Sequence, residues 1–98
     1  DLESATKLVH TLVEERLAAC GNVLPGATSI YRWEGAIHRD SEVLVVLKTR
    51  SEVTAELLRR ARELHPYDVP ELLVLPVVDG DPAYLRWVVG ETGLGDVL

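Results

Sequence analysis

Between Asp1 and Ala19, the residues Ala5, Leu8, Val9, Leu12, Val13 and Leu17 recur at steps of three and four, which places them along one face of a helix. Lys7, Glu14, Glu15 and Arg16 fall largely off that stripe and are predicted to be solvated. Asp1 can cap the first turn, and Gly21 stands where a left-handed residue would end the helix. From Asn22 the period changes. Within Thr28–Trp33, the residues Ser29, Tyr31 and Trp33 share one side and Ile30 takes the other, the alternation of a strand. Pro25-Gly26 bends an otherwise extended run from Asn22 to Trp33, and Glu34-Gly35 supplies a turn. Ala36–His38 continues extended, Arg39-Asp40-Ser41 reads as a polar turn, and Glu42–Arg50 contains an unbroken aliphatic run from Val43 to Leu47. Such a run predicts a strand buried on both faces, and the whole region reads as a long bent hairpin.

Ser51 is predicted to cap a second helix that runs to about Leu64, with Val53, Leu57, Leu58, Ala61 and Leu64 as its apolar stripe and Pro66 as its stop. The arginines 59, 60 and 62 then form a solvated face. Glu71–Val78 is a further branched aliphatic segment, predicted as a strand that Pro76 confines to an edge or a bulge. Asp81 and Pro82 open a short helix carrying Tyr84, Leu85, Val88 and Val89. Helix, hairpin, helix, strand and short helix make an α+β sandwich, with a helix at residue 1 where a β-α-β-β-α-β unit would first place a strand.

With 98 residues, 47% hydrophobic and 27% charged, the chain is one globular domain rather than a disordered segment. Its net charge of -6 disfavours neutralising a phosphate backbone, so no nucleic-acid partner is expected. No apolar run approaches a membrane span and no signal-like segment opens the sequence, which predicts a cytoplasmic protein with no membrane partner. A single cysteine builds no disulfide framework. The apolar content is aliphatic, without Phe or Met, so the placement of Tyr31, Trp33, Tyr67, Tyr84 and Trp87 carries weight.

Four ordered segments are informative together. They are Glu15-Arg16-Leu17-Ala18-Ala19-Cys20, the stretch Leu24–Gly35, Leu47-Lys48-Thr49, and His65-Pro66-Tyr67-Asp68-Val69-Pro70-Glu71. With Tyr84-Leu85-Arg86-Trp87 after them, they resemble the CutA family of divalent-cation tolerance proteins across nearly the whole chain. The resemblance implies a ferredoxin-like βαββαβ sandwich with a closing helix, similar to PII signalling proteins, in a homotrimer assembled by strand pairing between subunits. It also implies a first strand before Asp1, which is missing from this sequence. That strand would lie between Glu71–Val78 and Glu42–Arg50.

The candidate chemistry is sparse. Cys20, predicted at the end of the first helix, suits a small buried hydrophobe, and as a thiol it can also hold Cu(I) or Hg(II). His65 can interact with the last carbonyls of the second helix, and by resemblance it matches one histidine of the family's proposed copper site. A neighbouring histidine of some members is Leu64 here, and the cysteine ligand of that proposal belongs to the missing strand. His10 and His38 are predicted to be solvated. Trp33, Lys48, Tyr67 and Glu71 match family positions expected to converge near clefts between subunits, where a metal ion or small ligand would bind. A structural Lys48–Glu71 ion pair is the alternative for two of them. Tyr31, Trp33 and Trp87 are expected at the trimer interface. Phosphate-cradling loops and a Ser-His-Asp arrangement are absent, so no enzyme is expected, an acylphosphatase-type activity included. The expectation is a trimeric, non-catalytic protein that binds Cu(II) or another divalent cation weakly and uses no organic cofactor. A PII-like module that senses a small ligand or docks a protein is the alternative.

Overall fold

The computed structural model describes residues 1–65 and 69–93. Chain order is α1 (Leu2–Glu14), β1 (Cys20–Trp33), β2 (Ala36–Lys48), a 3-10 turn (Ser51–Val53), α2 (Thr54–Leu64) and α3 (Pro82–Gly90). Asp1 caps α1 as expected, its carboxylate accepting from the Ser4 amide at 2.8 Å. The helix stops earlier than Gly21, however. Arg16 turns left-handed at φ 61°. Its amide donates to the Val13 carbonyl at 3.0 Å, and the Leu17 amide donates to Leu12 at 3.0 Å. That pair of bonds is a Schellman motif, with Leu17 folded back onto the core beside Leu12. A non-glycine residue carries the left-handed position, so the sequence shows no glycine to mark it. Gly21 and Cys20 consequently lie at the start of β1, not at a helix end.

β1 and β2 pair antiparallel from Cys20↔Lys48 to Trp33↔Ala36, with one bulge between Leu24 and Ala27 where Pro25-Gly26 bends the run. Glu34 and Gly35 close the hairpin, both at positive φ (50° and 80°), as a two-residue type I′ turn requires. Arg39-Asp40-Ser41 is not a turn but continuous β2. Polar residues suit a ribbon with solvent on both sides, and the turn chemistry is already supplied at Gly35. β2 is also covered on one face only. Val43, Val45 and Leu47 are half-buried, whereas Leu44 and Val46 are exposed.

Helix α1 packs on β1, β2 and α2, and the core gathers where these meet. Leu12, Ala18, Leu57 and Ala61 are buried there, flanked by Leu8, Leu17, Leu47, Leu64 and Leu72. Gly21 is required by this contact. A Cβ at that position would stand 2.6 Å from Val9 Cγ1 and 2.8 Å from Leu47 Cδ2. The stripe of α2 is as read, with Val53, Leu57 and Ala61 buried, but Ser51 does not cap it. Ser51 opens the 3-10 turn, and its carbonyl accepts from the Thr54 hydroxyl. α3 is capped by Asp81 with Pro82 in the first turn. Its end is tied to α1 through the Gly93 amide, which donates to the Arg16 carbonyl at 2.9 Å.

Glu71–Val78 forms no strand. Among the described residues the sheet is the β1–β2 pair alone, and Glu71–Val78 is not hydrogen-bonded to β2 as a sheet neighbour. Leu72 reaches the core, while Leu73, Leu75, Val77 and Val78 are exposed. Strand propensity becomes a strand only with a ladder partner, and Pro76 removes one donor besides. No helix among the described residues is long and apolar enough to cross a membrane.

Candidate functional site

The hairpin separates the candidate residues into two groups. At the open end, Cys20 and Lys48 face each other across the ladder, both half-buried. Cys20 Sγ lies 3.5 Å from the Tyr84 hydroxyl of α3, a contact between residues 64 apart in sequence. That hydrogen bond, reinforced by burial, holds the Tyr84 phenol above its ordinary pKa. Trp87 stacks at a tilt on Tyr84, 5.7 Å between ring centres, and remains 44% exposed. Arg50 reaches the Val89 carbonyl and Glu52, joining α3 to the base of the 3-10 turn.

At the closed end, Tyr31 donates to the Asp40 carboxylate and stacks on His38, 5.5 Å between ring centres. His38 is exposed as expected, yet it is held by that ring contact. Trp33 is the last residue of β1 and 50% exposed. The 14 residues from Cys20 to Trp33, at a rise of roughly 3.3 Å per step, put the two ends about 40 Å apart along the ribbon. Within one chain, Trp33 therefore cannot meet Lys48.

His65 caps α2 in extended conformation, its amide donating to Ala61 at 2.9 Å, and its side chain is half-buried. Glu71 is exposed and makes no ion pair with Lys48 among the described residues. Tyr67 lies outside the described residues. No group of three or more His, Cys, Asp or Glu side chains able to hold a metal occurs among the described residues. Among the described residues, Cys20 and His65 belong to no such group.

Two of the arginines of α2, Arg59 and Arg60, are ion-paired. Arg60 makes a two-pronged contact with Glu15, the C-cap of α1, both bonds 2.8 Å, and Arg59 bridges Glu56 and Glu63. These guanidinium hydrogen bonds hold the Glu15 and Glu56 carboxyls below their usual range. They fasten α2 to α1 and to itself, which is structural work.

The sheet face opposite α1 carries uncovered apolar side chains. Ladder alternation, carried past the bulge, puts Leu24, Leu44 and Val46 on the same face as Tyr31, Trp33, His38, Asp40 and Glu42. The aliphatic three are each 44% exposed or more. Asp40 and the continuation of β2 through Arg39–Ser41 were not singled out by sequence reasoning, and Tyr84 stood out only as one of few aromatics and as part of the closing-helix segment. The odd-even pattern of Tyr31 and Trp33 was the only signal pointing at this face.

A family model described as "CutA1 divalent ion tolerance protein" matches residues 1–91. The divalent-cation tolerance protein CutA of Thermus thermophilus is 47% identical over 91 residues, covering 93% of this chain and 88% of that one. "Protein CutA, chloroplastic" of Arabidopsis thaliana is 42% identical over 90 residues, covering 92% of this chain and 50% of its own length, so the chain spans half of that relative. The solved structure of the divalent cation tolerance protein (Cut A1) from Thermus thermophilus superposes with a TM-score of 0.92 at 46% identity, covering 95% of this chain and 90% of that one. The α+β arrangement is therefore ferredoxin-like, as the sequence resemblance implied.

Proposed function

The chain belongs to the CutA1 divalent ion tolerance family, and on that premise we propose that it works as a non-catalytic homotrimer that binds Cu(II) or a similar divalent cation weakly at clefts between subunits. The observation that carries the reading is the uncovered sheet face, whose Leu24, Leu44 and Val46 stand in solvent on the same face as Tyr31 and Trp33. Exposed aliphatic and aromatic side chains gathered on one face, with polar groups among them, support an interaction site. The separation of Trp33 from Lys48 supports it further, because a cleft drawing on both needs a second copy. His65, Cys20, Lys48, Tyr67 and Glu71 are the cleft candidates, and Trp87 extends the apolar surface beside Tyr84. Imidazole suits Cu(II), and the Cys20 thiol suits softer ions. The proposed compartment is the cytoplasm, although the Arabidopsis relative is named chloroplastic.

Light scattering on the full chain is expected to give the mass of three copies, and calorimetric titration with copper alone is expected to show weak binding that His65→Ala lowers. Identical isotherms for wild type and His65→Ala remove His65 from the reading. Absence of copper binding by an intact trimer favours the PII-like ligand-sensing module instead. A monomer overturns the assembly.

A further inference from the structure

Where the end of α1 meets the connection between β2 and α2, the chain forms an open groove of about 480 Å³, the size of a small-molecule site. Arg16, Leu17, Arg50, Glu52 and Val53 line it, and none of Cys20, Trp33, Lys48, His65 and Glu71 does. Val53 is buried and Leu17 half-buried, which gives the groove an apolar base. Most of its other charges are committed. Glu15 is held by Arg60, and Glu56 by Arg59, which also bonds Glu63. Arg16 makes no ion pair among the described residues, although Glu14 and Glu91 border a smaller hollow that it also lines. The Arg50 side chain is 20% exposed, its guanidinium 3.4 Å from the Val89 carbonyl and 3.9 Å from Glu52.

Arg16 also stands where its residue type is unfavourable. It holds the left-handed position of the Schellman motif at φ 61°, which glycine takes without a steric cost and a β-carbon does not. With glycine there, Leu17 would fold back onto Leu12 by the same backbone bonds. What arginine adds is a guanidinium beside the groove, and strain kept next to a cavity points to use of the side chain. We propose that this groove binds a small aliphatic carboxylate, its carboxyl group taken by Arg16 and Arg50 and its hydrocarbon part by Leu17 and Val53. A guanidinium fork matches the two oxygens of a carboxylate. The chain as a whole carries a charge of -6 and repels anions, so a site for one needs cations brought together locally, as these two are along one groove. Bare phosphate would leave the apolar base uncovered, which favours an anion with a hydrocarbon chain. Glu52 is the opposing charge beside Arg50 and weakens the hold on any anion.

The test titrates the full chain with sodium isovalerate, followed by amide NMR, with sodium chloride at equal ionic strength as the reference. Saturable shifts are expected at Leu17, Val53 and Gly93, which all line the groove. Arg16→Gly is expected to raise the dissociation constant by at least about tenfold while the melting temperature stays level or rises, because glycine relieves the left-handed backbone. Arg16→Lys keeps the charge without the fork and is expected to fall between the two. Glu52→Gln removes a repelling carboxylate and is expected to tighten binding. Inorganic phosphate is expected to bind more weakly than isovalerate. No saturable shift with isovalerate, equal affinity in wild type and Arg16→Gly, or tighter binding of phosphate overturns the proposal. The groove lies within one chain, so these outcomes stand apart from the assembly and copper measurements.

Discussion

At Gly21 and Leu47 the hairpin lies so close under α1 that a single added methyl group has no room; at Ile30 and Ile37 the same two strands lie under nothing. Both halves share one ladder and comparable strand-forming residues, yet only the inner half contributes to the core. The bulge at Pro25-Gly26 marks the boundary between them. Local pairing is thus enough to shape the distal half, while the inner half is held by burial against Leu12, Leu57 and Ala61. A two-stranded ribbon gains little stability by itself in water. The distal half is therefore the part whose composition answers to contact with something else.

The largest expected effect separates the halves directly. Leu12 is 0% exposed in the core, and Leu12→Ala is expected to destabilise the chain by about 2–5 kcal/mol in urea unfolding. Ile37→Ala, at an exposed position of the distal half, is expected to cost less than about 1 kcal/mol at dilutions where the chain is monomeric. Equal costs would break the comparison, because they would place Ile37 in a core within its own chain.

Two glycines sharpen the contrast through different physics. Gly21→Ala forces a methyl group against Val9 and Leu47 and is expected to cost about 1–3 kcal/mol by overpacking. Gly26→Ala meets no atom within 4 Å but keeps a φ of +87°, so its cost of about 1–2 kcal/mol is backbone strain alone. Trimming the crowding partner distinguishes them. Val9→Ala should relieve part of the Gly21→Ala penalty in a double-mutant cycle and leave that of Gly26→Ala unchanged.

What was legible in the sequence follows the same boundary. The stripe of α2, the cap at Asp1, the turn at Glu34-Gly35 and most of the stripe of α1 are local signals that stand where the pattern put them, although Val13 is exposed and Leu17 lies beyond the helix end. Arg16 escaped notice because its left-handed turn depends on Leu17 reaching back to Leu12, a contact no single residue type announces. Val43–Leu47 looked buried on both sides because composition reports how apolar a strand is, not whether a second layer exists within the chain. Glu71–Val78 has a strand's composition and no ladder partner among the described residues. As for the candidate site, family resemblance named Trp33 and Lys48 together, but only the register shows them at opposite ends of the ribbon. The Cys20–Tyr84 contact joins residues too distant in sequence for any local pattern to pair them.

The smallest effect expected is one of pH, and it belongs to the covered half. Glu15 accepts two hydrogen bonds from Arg60 across the α1–α2 contact, and Glu56 accepts from Arg59. Both carboxyls are held below their ordinary range in the folded chain. The unfolded chain therefore binds protons more readily at acid pH, and stability must rise with pH across that window. The contribution is complete above the unfolded glutamate value of about 4.3 and is lost as pH falls through the depressed folded values. Melting temperatures recorded from neutral to acid pH should fall more steeply below that point in wild type than in Glu15→Gln. Glu15→Gln/Glu56→Gln should be flatter again. Because both pairs lie at the surface, the change in slope is expected to be small and to shrink further in high salt. Parallel profiles for wild type and the double variant would mean that burial alone joins α2 to α1, and the inner half would then differ from the distal half by its apolar contacts and nothing more.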